Sequence, residues 1–252
     1  TPYHAPMTTW IVGDIHGCAV ELAELVEKLA LGPEDRLLSV GDLFHRGPDP
    51  AGVMDVLREA NAAFILGNHE LRVLARFQLA PRLSDGSDRP PLRTEFPPLA
   101  EGDLAGDGRR PCVVPRERRA EVVTFLQGHS GFFVESLSFE GAGPTKDGRP
   151  WCAVHAGIQQ GKHPAATDPE NLVSLRRLPQ RGRPFWYEVY SGTNLIVFGH
   201  TPSQAPRTRR VGGRLVTLGI DTACVYGGSL TAYSPELDEF VQVPAKAAYA
   251  RA

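Results

Sequence analysis

Five times along this 252-residue chain a short apolar run stops at or beside a glycine, and an Asp, His or Asn follows at once. The pattern appears as Gly13-Asp14-Ile15-His16-Gly17, Gly41-Asp42, Gly67-Asn68-His69-Glu70, Val154-His155-Ala156-Gly157 and Gly199-His200-Thr201. One Gly-Asp pair is ordinary turn chemistry. Five in succession, each behind an apolar strand-like run, are hard to produce by turn chemistry alone. In open α/β sheets, loops beyond the carboxyl ends of strands bring distant positions into one crevice. The chain is therefore constrained to a fold whose strand ends converge.

The runs between these motifs say what carries them. Thr9 to Val12, Arg36 to Val40 and Ala62 to Leu66 read as strands closed by glycine. Leu22, Leu25, Val26 and Leu29 recur at helical spacing, Ala51 to Glu59 reads as a helix, and helical spacing resumes over Leu71 to Leu79. Strand and helix alternating in this way imply βαβ units and an at least partly parallel sheet. Later, Glu117 to Gln127 reads as a helix. Phe132 to Phe139, Trp151 to His155 and Leu195 to Phe198 read as strands, with several more between Arg214 and Gln242. Asp168 before Pro169 signals a helix start. Trp10, Trp151 and Phe198 are expected in the core. Residues 81–115 are rich in Pro, Gly, Asp and Arg without a period. They are expected to form a surface insertion in a single domain spanning the chain.

Composition excludes some roles. With 27 Lys plus Arg against 29 Asp plus Glu, the net charge of −2 gives no push toward nucleic acid or an anionic membrane. No apolar run is long enough to span a bilayer. The start lacks the basic and apolar regions of a signal peptide, so a cytoplasmic location is expected. The four cysteines are scattered without a C-x-x-C pair, which argues against a zinc knuckle or redox motif.

Asp14, His16, Asp42, Asn68, His155 and His200 together offer oxygen and imidazole donors and no sulfur. That set suits Mn, Fe, Zn, Co or Ni better than Ca or a structural zinc site. Two such cations need a shared ligand, and a carboxylate can serve. Water held between them would lose a proton near neutral pH and serve as a nucleophile.

The motifs Gly13-Asp14-Ile15-His16-Gly17, Gly41-Asp42-x-x-x-Arg46-Gly47 and Gly67-Asn68-His69-Glu70 resemble those of calcineurin-like metallophosphoesterases of the phosphoprotein-phosphatase family. The resemblance runs from Gly13 to about Ala232 and excludes the insertion. It implies a four-layer α/β/β/α fold with a β-sandwich core and two divalent metal ions at one edge, manganese favoured. It further implies Asp14 and His16 as ligands of a first ion, Asp42 as the bridge, and Asn68, His155 and His200 as ligands of a second. His69 would donate a proton to the leaving oxygen or contact phosphate. Arg46 would clamp phosphate through its planar fork, beside Asn68.

The segments Val154 to Ile158, Gly199 to Pro202 and Ile220 to Gly228 resemble bacterial members, which include diadenosine-tetraphosphate hydrolases and small Ser/Thr or broad phosphatases. The expected substrate is thus a phosphorylated small molecule, a dinucleoside polyphosphate first. A Ser/Thr or broad-specificity protein phosphatase is the alternative. A catalytically weak metal-binding interaction protein is the reading from another class. Asp221 either orients a metal-bound histidine or water or is a structural turn residue. A second phosphate-binding arginine is expected between His155 and His200, with Arg176 or Arg177 favoured on a predicted helix. Trp186, Tyr187 and Tyr190 either stack on a nucleobase or pack a helix, the latter being commoner. One position departs from the family: His45 stands where the pattern has Asp, which normally supports the charge of the histidine corresponding to His69. His45 is expected to share the proton work or to shift preference toward a better leaving group. Oligomeric state is left open.

Overall fold

A computed structural model of the chain describes residues 7–76, 114 and 116–251. The expected insertion, apart from Val114, and Cys112 with it, lies outside the described residues. Two five-stranded sheets are present among them. The first runs β10 (Glu239–Pro244), β9 (Ser229–Ser234), β1 (Thr9–Val12), β2 (Arg36–Ser39), β3 (Ala63–Phe64). The second runs β4 (Phe133–Glu135), β5 (Trp151–Val154), β6 (Leu195–Phe198), β8 (Arg214–Gly219), β7 (Arg207–Val211). The pairs β1–β2, β2–β3, β5–β6 and β6–β8 are parallel.

Side-chain alternation explains why the central strands are apolar throughout. Ile11 and Leu38 of the first sheet meet Trp151, Ala153, Leu195 and Val197 of the second in one buried layer. The alternate positions Trp10, Val12 and Leu37 face the opposite way, as do Cys152, Val154, Ile196 and Phe198, into the apolar layers under the helices. Successive strand residues point to opposite faces, so a strand covered on both sides must be apolar at every position.

Helices close the outer layers. On the first sheet, α1 (Ala19–Leu29) buries Leu22 and Leu25 and α2 (Pro50–Glu59) buries Val53, Met54 and Leu57. The side chain of Asp49 caps α2 by accepting the Gly52 N–H at 2.8 Å, with Pro50 at the first helical position. On the second, α5 (Pro169–Ser174) and the short α6 (Trp186–Val189) bury Leu172, Val173 and Trp186. Two further helices, α3 (Asn68–Arg76) and α4 (Arg119–Leu126), flank this frame. The layers follow the expected α/β/β/α order.

Several boundaries moved. The strand expected over 132–139 is only β4, because Ser138 and Phe139 turn back and donate N–H groups to the Glu135 carbonyl. Helix α3 begins at Asn68, three residues earlier than its apolar spacing indicates. Helix α5 stops at Ser174, so Arg176 and Arg177 follow it in extended chain instead of lying on it. The edge strand β7, Arg-Thr-Arg-Arg-Val, carries no apolar alternation and was not expected. Trp10, Trp151 and Phe198 are buried as expected. Trp186 and Tyr187 are core residues too, Trp186 donating its indole N–H to the Ala156 carbonyl at 2.9 Å. Cys18, Cys152 and Cys224 are buried free thiols.

Candidate metal centre

The motif residues follow the carboxyl ends of β1, β2, β3, β5, β6 and β8, and their side chains meet. Asp14 accepts the His200 N–H with both carboxylate oxygens, at 3.0 and 3.1 Å, and so ties the end of β1 to the end of β6. His155 contacts the Val40 carbonyl through Nδ1 at 2.8 Å. A carbonyl can only accept, so Nδ1 carries the proton and Nε2 presents a lone pair. That lone pair faces Asn68 Oδ1 at 3.2 Å, His200 Nδ1 at 3.2 Å and Asp42 Oδ1 at 3.5 Å.

A second convergence lies on the other side of Asp42. His16 Nε2 is 3.6 Å from Asp42 Oδ2 and 3.9 Å from Asp14 Oδ2. His69 Nε2 is 3.8 Å from the same Asp42 oxygen. Arg46 approaches His16 Nε2 at 3.1 Å, and a guanidinium can only donate, so this nitrogen also presents a lone pair. The donor atoms form two groups that could each hold a cation, His16–Asp42–His69 and Asp42–His155–His200, with Asp42 common to both. Lone pairs held against lone pairs at buried positions are what a cation satisfies, so the residues fit two divalent ions.

The backbone is bent to make this arrangement. His16, Asp42, Arg46 and His200 all have positive φ, between 50° and 82°. Non-glycine residues rarely adopt this region, and clusters of such strain are found at functional sites. Two motif glycines admit close approach. A Cβ on Gly67 would overlap Asp42 Oδ1, and one on Gly199 would overlap Asp14 Oδ1.

Burial sets the electrostatics. Asp14 is pushed well above the usual carboxylate range by desolvation and by the nearby Asp221 and Asp42 charges. Asp42 is also desolvated, but the surrounding His155, His69, His16 and His200 outweigh this and hold it well below that range. Burial lowers His16 and His155, and His200 falls to about 3, so these three imidazoles favour the neutral, ligating form; burial lowers His69 as well, opposed by the Asp42 charge. Asp221, six per cent exposed, is raised to about 6, chiefly by burial, and accepts the Ala223 N–H.

Glu70 has a role that sequence reasoning missed. Wholly buried, it accepts the N–H groups of Asp42 at 2.7 Å, Leu43 at 2.9 Å and Gly67 at 3.1 Å. Desolvation and the Asp42 charge raise it to about 8 despite those three donors. The bond to Gly67 is half of a capping box for α3, and this was the available signal: a glutamate three residues after the strand-closing glycine. His45 is buried, its ring 4.8 Å from that of His69. Of the two candidate arginines, Arg176 donates to the His200 carbonyl at 2.8 Å. Arg177 lies over the Phe185 ring at 3.7 Å and donates to the Arg183 carbonyl. Arg46 lies 5.7 Å from the centre of the Tyr226 ring, a contact that no motif signals.

Comparison with known proteins agrees with this geometry. The chain is 29% identical over 259 residues to the asymmetrical bis(5'-nucleosyl)-tetraphosphatase PrpE of Halalkalibacterium halodurans, covering 94% of this chain and 93% of the relative. It is 30% identical over 227 residues to serine/threonine-protein phosphatase 1 of Salmonella typhimurium, covering 88% and 89%. A crystal structure provisionally named a diadenosine tetraphosphatase shares the fold, with a TM-score of 0.65 at 22% identity over 96% of this chain and 95% of that one. The family model of calcineurin-like phosphoesterases matches residues 7–204, and with the two donor groups around Asp42 in place the chain belongs to that family of hydrolases.

Proposed function

We propose that the protein is a two-metal phosphoesterase whose favoured substrate is a dinucleoside polyphosphate such as diadenosine tetraphosphate. The observation that carries the two-metal reading is the division of Asp42, with one oxygen toward His155 and the other toward His16. Asp14, His16 and Asp42 would hold one ion, and Asp42, Asn68, His155 and His200 the other. The donors are oxygen and imidazole without thiolate, which suits Mn, Fe, Zn, Co or Ni, and the family resemblance favours manganese among them. The ions would supply positive charge against the phosphoryl oxygens and lower the pKa of water there.

The chain's own residues do the rest. Arg46, beside His16, would hold two phosphoryl oxygens with its fork. Arg176, at His200, would hold a further phosphate. His69, 3.8 Å from Asp42, whose charge favours its protonated form, would give a proton to the leaving oxygen, with His45 against its ring. Asp221, whose charge acts on Asp14 and whose carboxylate accepts the Ala223 N–H, would steady the loop beside the site. The name of the tetraphosphatase relative supports the nucleotide substrate, and that of the Salmonella relative supports a protein phosphatase as the second reading.

Turnover of diadenosine tetraphosphate, a phosphoserine peptide and an aryl phosphate, compared at equal metal, separates them. The expected ranking by kcat/KM places the dinucleotide first. Preference for the peptide would replace the substrate and leave the metal centre standing.

A further inference from the structure

One stretch of the chain breaks its overall charge balance. Residues 176–214 contain eight arginines and one carboxylate, Glu188, in a protein of net charge −2. The structure sets four of them, Arg176, Arg177, Arg207 and Arg209, along one edge that starts at the metal centre. Arg176 donates to the His200 carbonyl. Arg177 covers one ring of the stacked Phe185–Tyr187 pair. Arg207, at the site end of β7, donates to the Pro202 carbonyl at 3.1 Å and the Tyr187 hydroxyl at 3.3 Å. Next along that face, Arg209 donates to the Tyr190 carbonyl at 3.0 Å.

These arginines are held by carbonyls, a hydroxyl and ring faces, not by counter-charges. Among the described residues, Arg58, Arg118 and Arg149 each have a carboxylate at ion-pair distance, and none of the eight does. Carbonyl anchoring fixes a guanidinium without neutralising it. The edge is therefore pre-ordered and positive, and it is continuous with a site that breaks bonds to phosphorus.

We propose that this edge binds the distal part of a long phosphate chain, making linear inorganic polyphosphate a substrate of the same centre. Residues two apart on a strand are separated by about 7 Å, so Arg207 and Arg209 grip successive stretches of a chain whose end lies at the metals. Water adds to the terminal phosphorus, the bridging P–O bond breaks, and its electron pair leaves with the shortened chain. Orthophosphate is released, and the proton from water ends on a phosphate oxygen. The proposal rests on the phosphoesterase reading of the metal centre.

The test compares tripolyphosphate, long-chain polyphosphate and an aryl phosphate on the metal-loaded enzyme, wild type and Arg209→Gln. The wild type is expected to show a lower KM for the long chain than for tripolyphosphate. The variant should raise the long-chain KM roughly tenfold, in the range that loss of a steering charge field produces, and leave aryl-phosphate turnover unchanged. Arg209→Lys should recover most of the loss. Equal KM for short and long chains in the wild type would overturn the proposal. So would an oligonucleotide that competes for the edge more strongly than polyphosphate does. Loss of aryl-phosphate turnover in the wild type would instead sink the phosphoesterase reading beneath it.

Discussion

Glu70 holds Asp42 by its backbone: the buried Glu70 carboxylate accepts the Asp42 N–H at 2.7 Å and, through its other oxygen, the neighbouring Leu43 N–H at 2.9 Å. Asp42 sits at positive φ, and these two bonds keep its loop in that strained turn. Glu70→Gln keeps the size and leaves one carbonyl to accept. The expected result is a 10- to 100-fold weaker metal affinity, typical of losing a partner that orients a ligand. Isothermal titration with manganese checks it. Unchanged affinity would mean the loop holds without Glu70.

His45 brings an imidazole, not a carboxylate, to 4.8 Å from the His69 ring. Burial already lowers His69, opposed by the Asp42 charge. A carboxylate in that place would stabilise the imidazolium and raise its pKa by about one unit or more. His45→Asp is expected to move the alkaline limb of kcat/KM upward. It should also improve poor leaving groups, such as phosphoserine, relative to aryl phosphate. An unaltered pH profile and substrate ranking would show that His45 only packs.

The chelated protein should lose stability as pH rises from about 6.5 to 8. A group whose folded pKa is raised binds its proton more tightly in the folded state, so its stabilisation is lost as pH climbs through the folded value. Glu70, raised to about 8 from 4.5, acts this way. Asp14, also raised, acts in the same direction. The lowered histidines act oppositely, but only below their ordinary value of 6.5, and they drop out above it. Each such proton contributes at most about 1.4 kcal/mol per pH unit. Thermal melts at pH 6.5 and 8 with chelator should show the decline, and Glu70→Gln should flatten it. A rise in melting temperature over that interval would contradict the assigned directions.

Much of this site was legible in the sequence because the signal is local. Each candidate ligand closely follows an apolar run, and the position of the strand end fixes where the side chain goes. Asp14, His16, Asp42, Asn68, His155 and His200 could be read together for that reason. What was hidden depends on chain reversals. Helix α5 ends at Ser174, and the extended chain beyond it sends Arg176 to His200 and Arg177 to Phe185. No spacing rule separates two adjacent arginines on those grounds. The edge strand β7 escaped notice because its partly solvated face shows no apolar alternation. Glu70 had no assigned role, because its reach to the loop after β2 depends on both elements being in place.

The central claim is that one carboxylate, Asp42, serves two cations, with Oδ1 3.5 Å from His155 and Oδ2 3.6 Å from His16. The most direct test is aryl-phosphate hydrolysis after chelation and readdition of single metals, manganese first, with wild type and Asp42→Asn side by side. The account predicts that metal restores the wild type, that the wild type binds two ions per chain, and that the variant stays inactive with metal stoichiometry reduced. Restored activity in Asp42→Asn, or a wild type fully active with one bound ion, would contradict it.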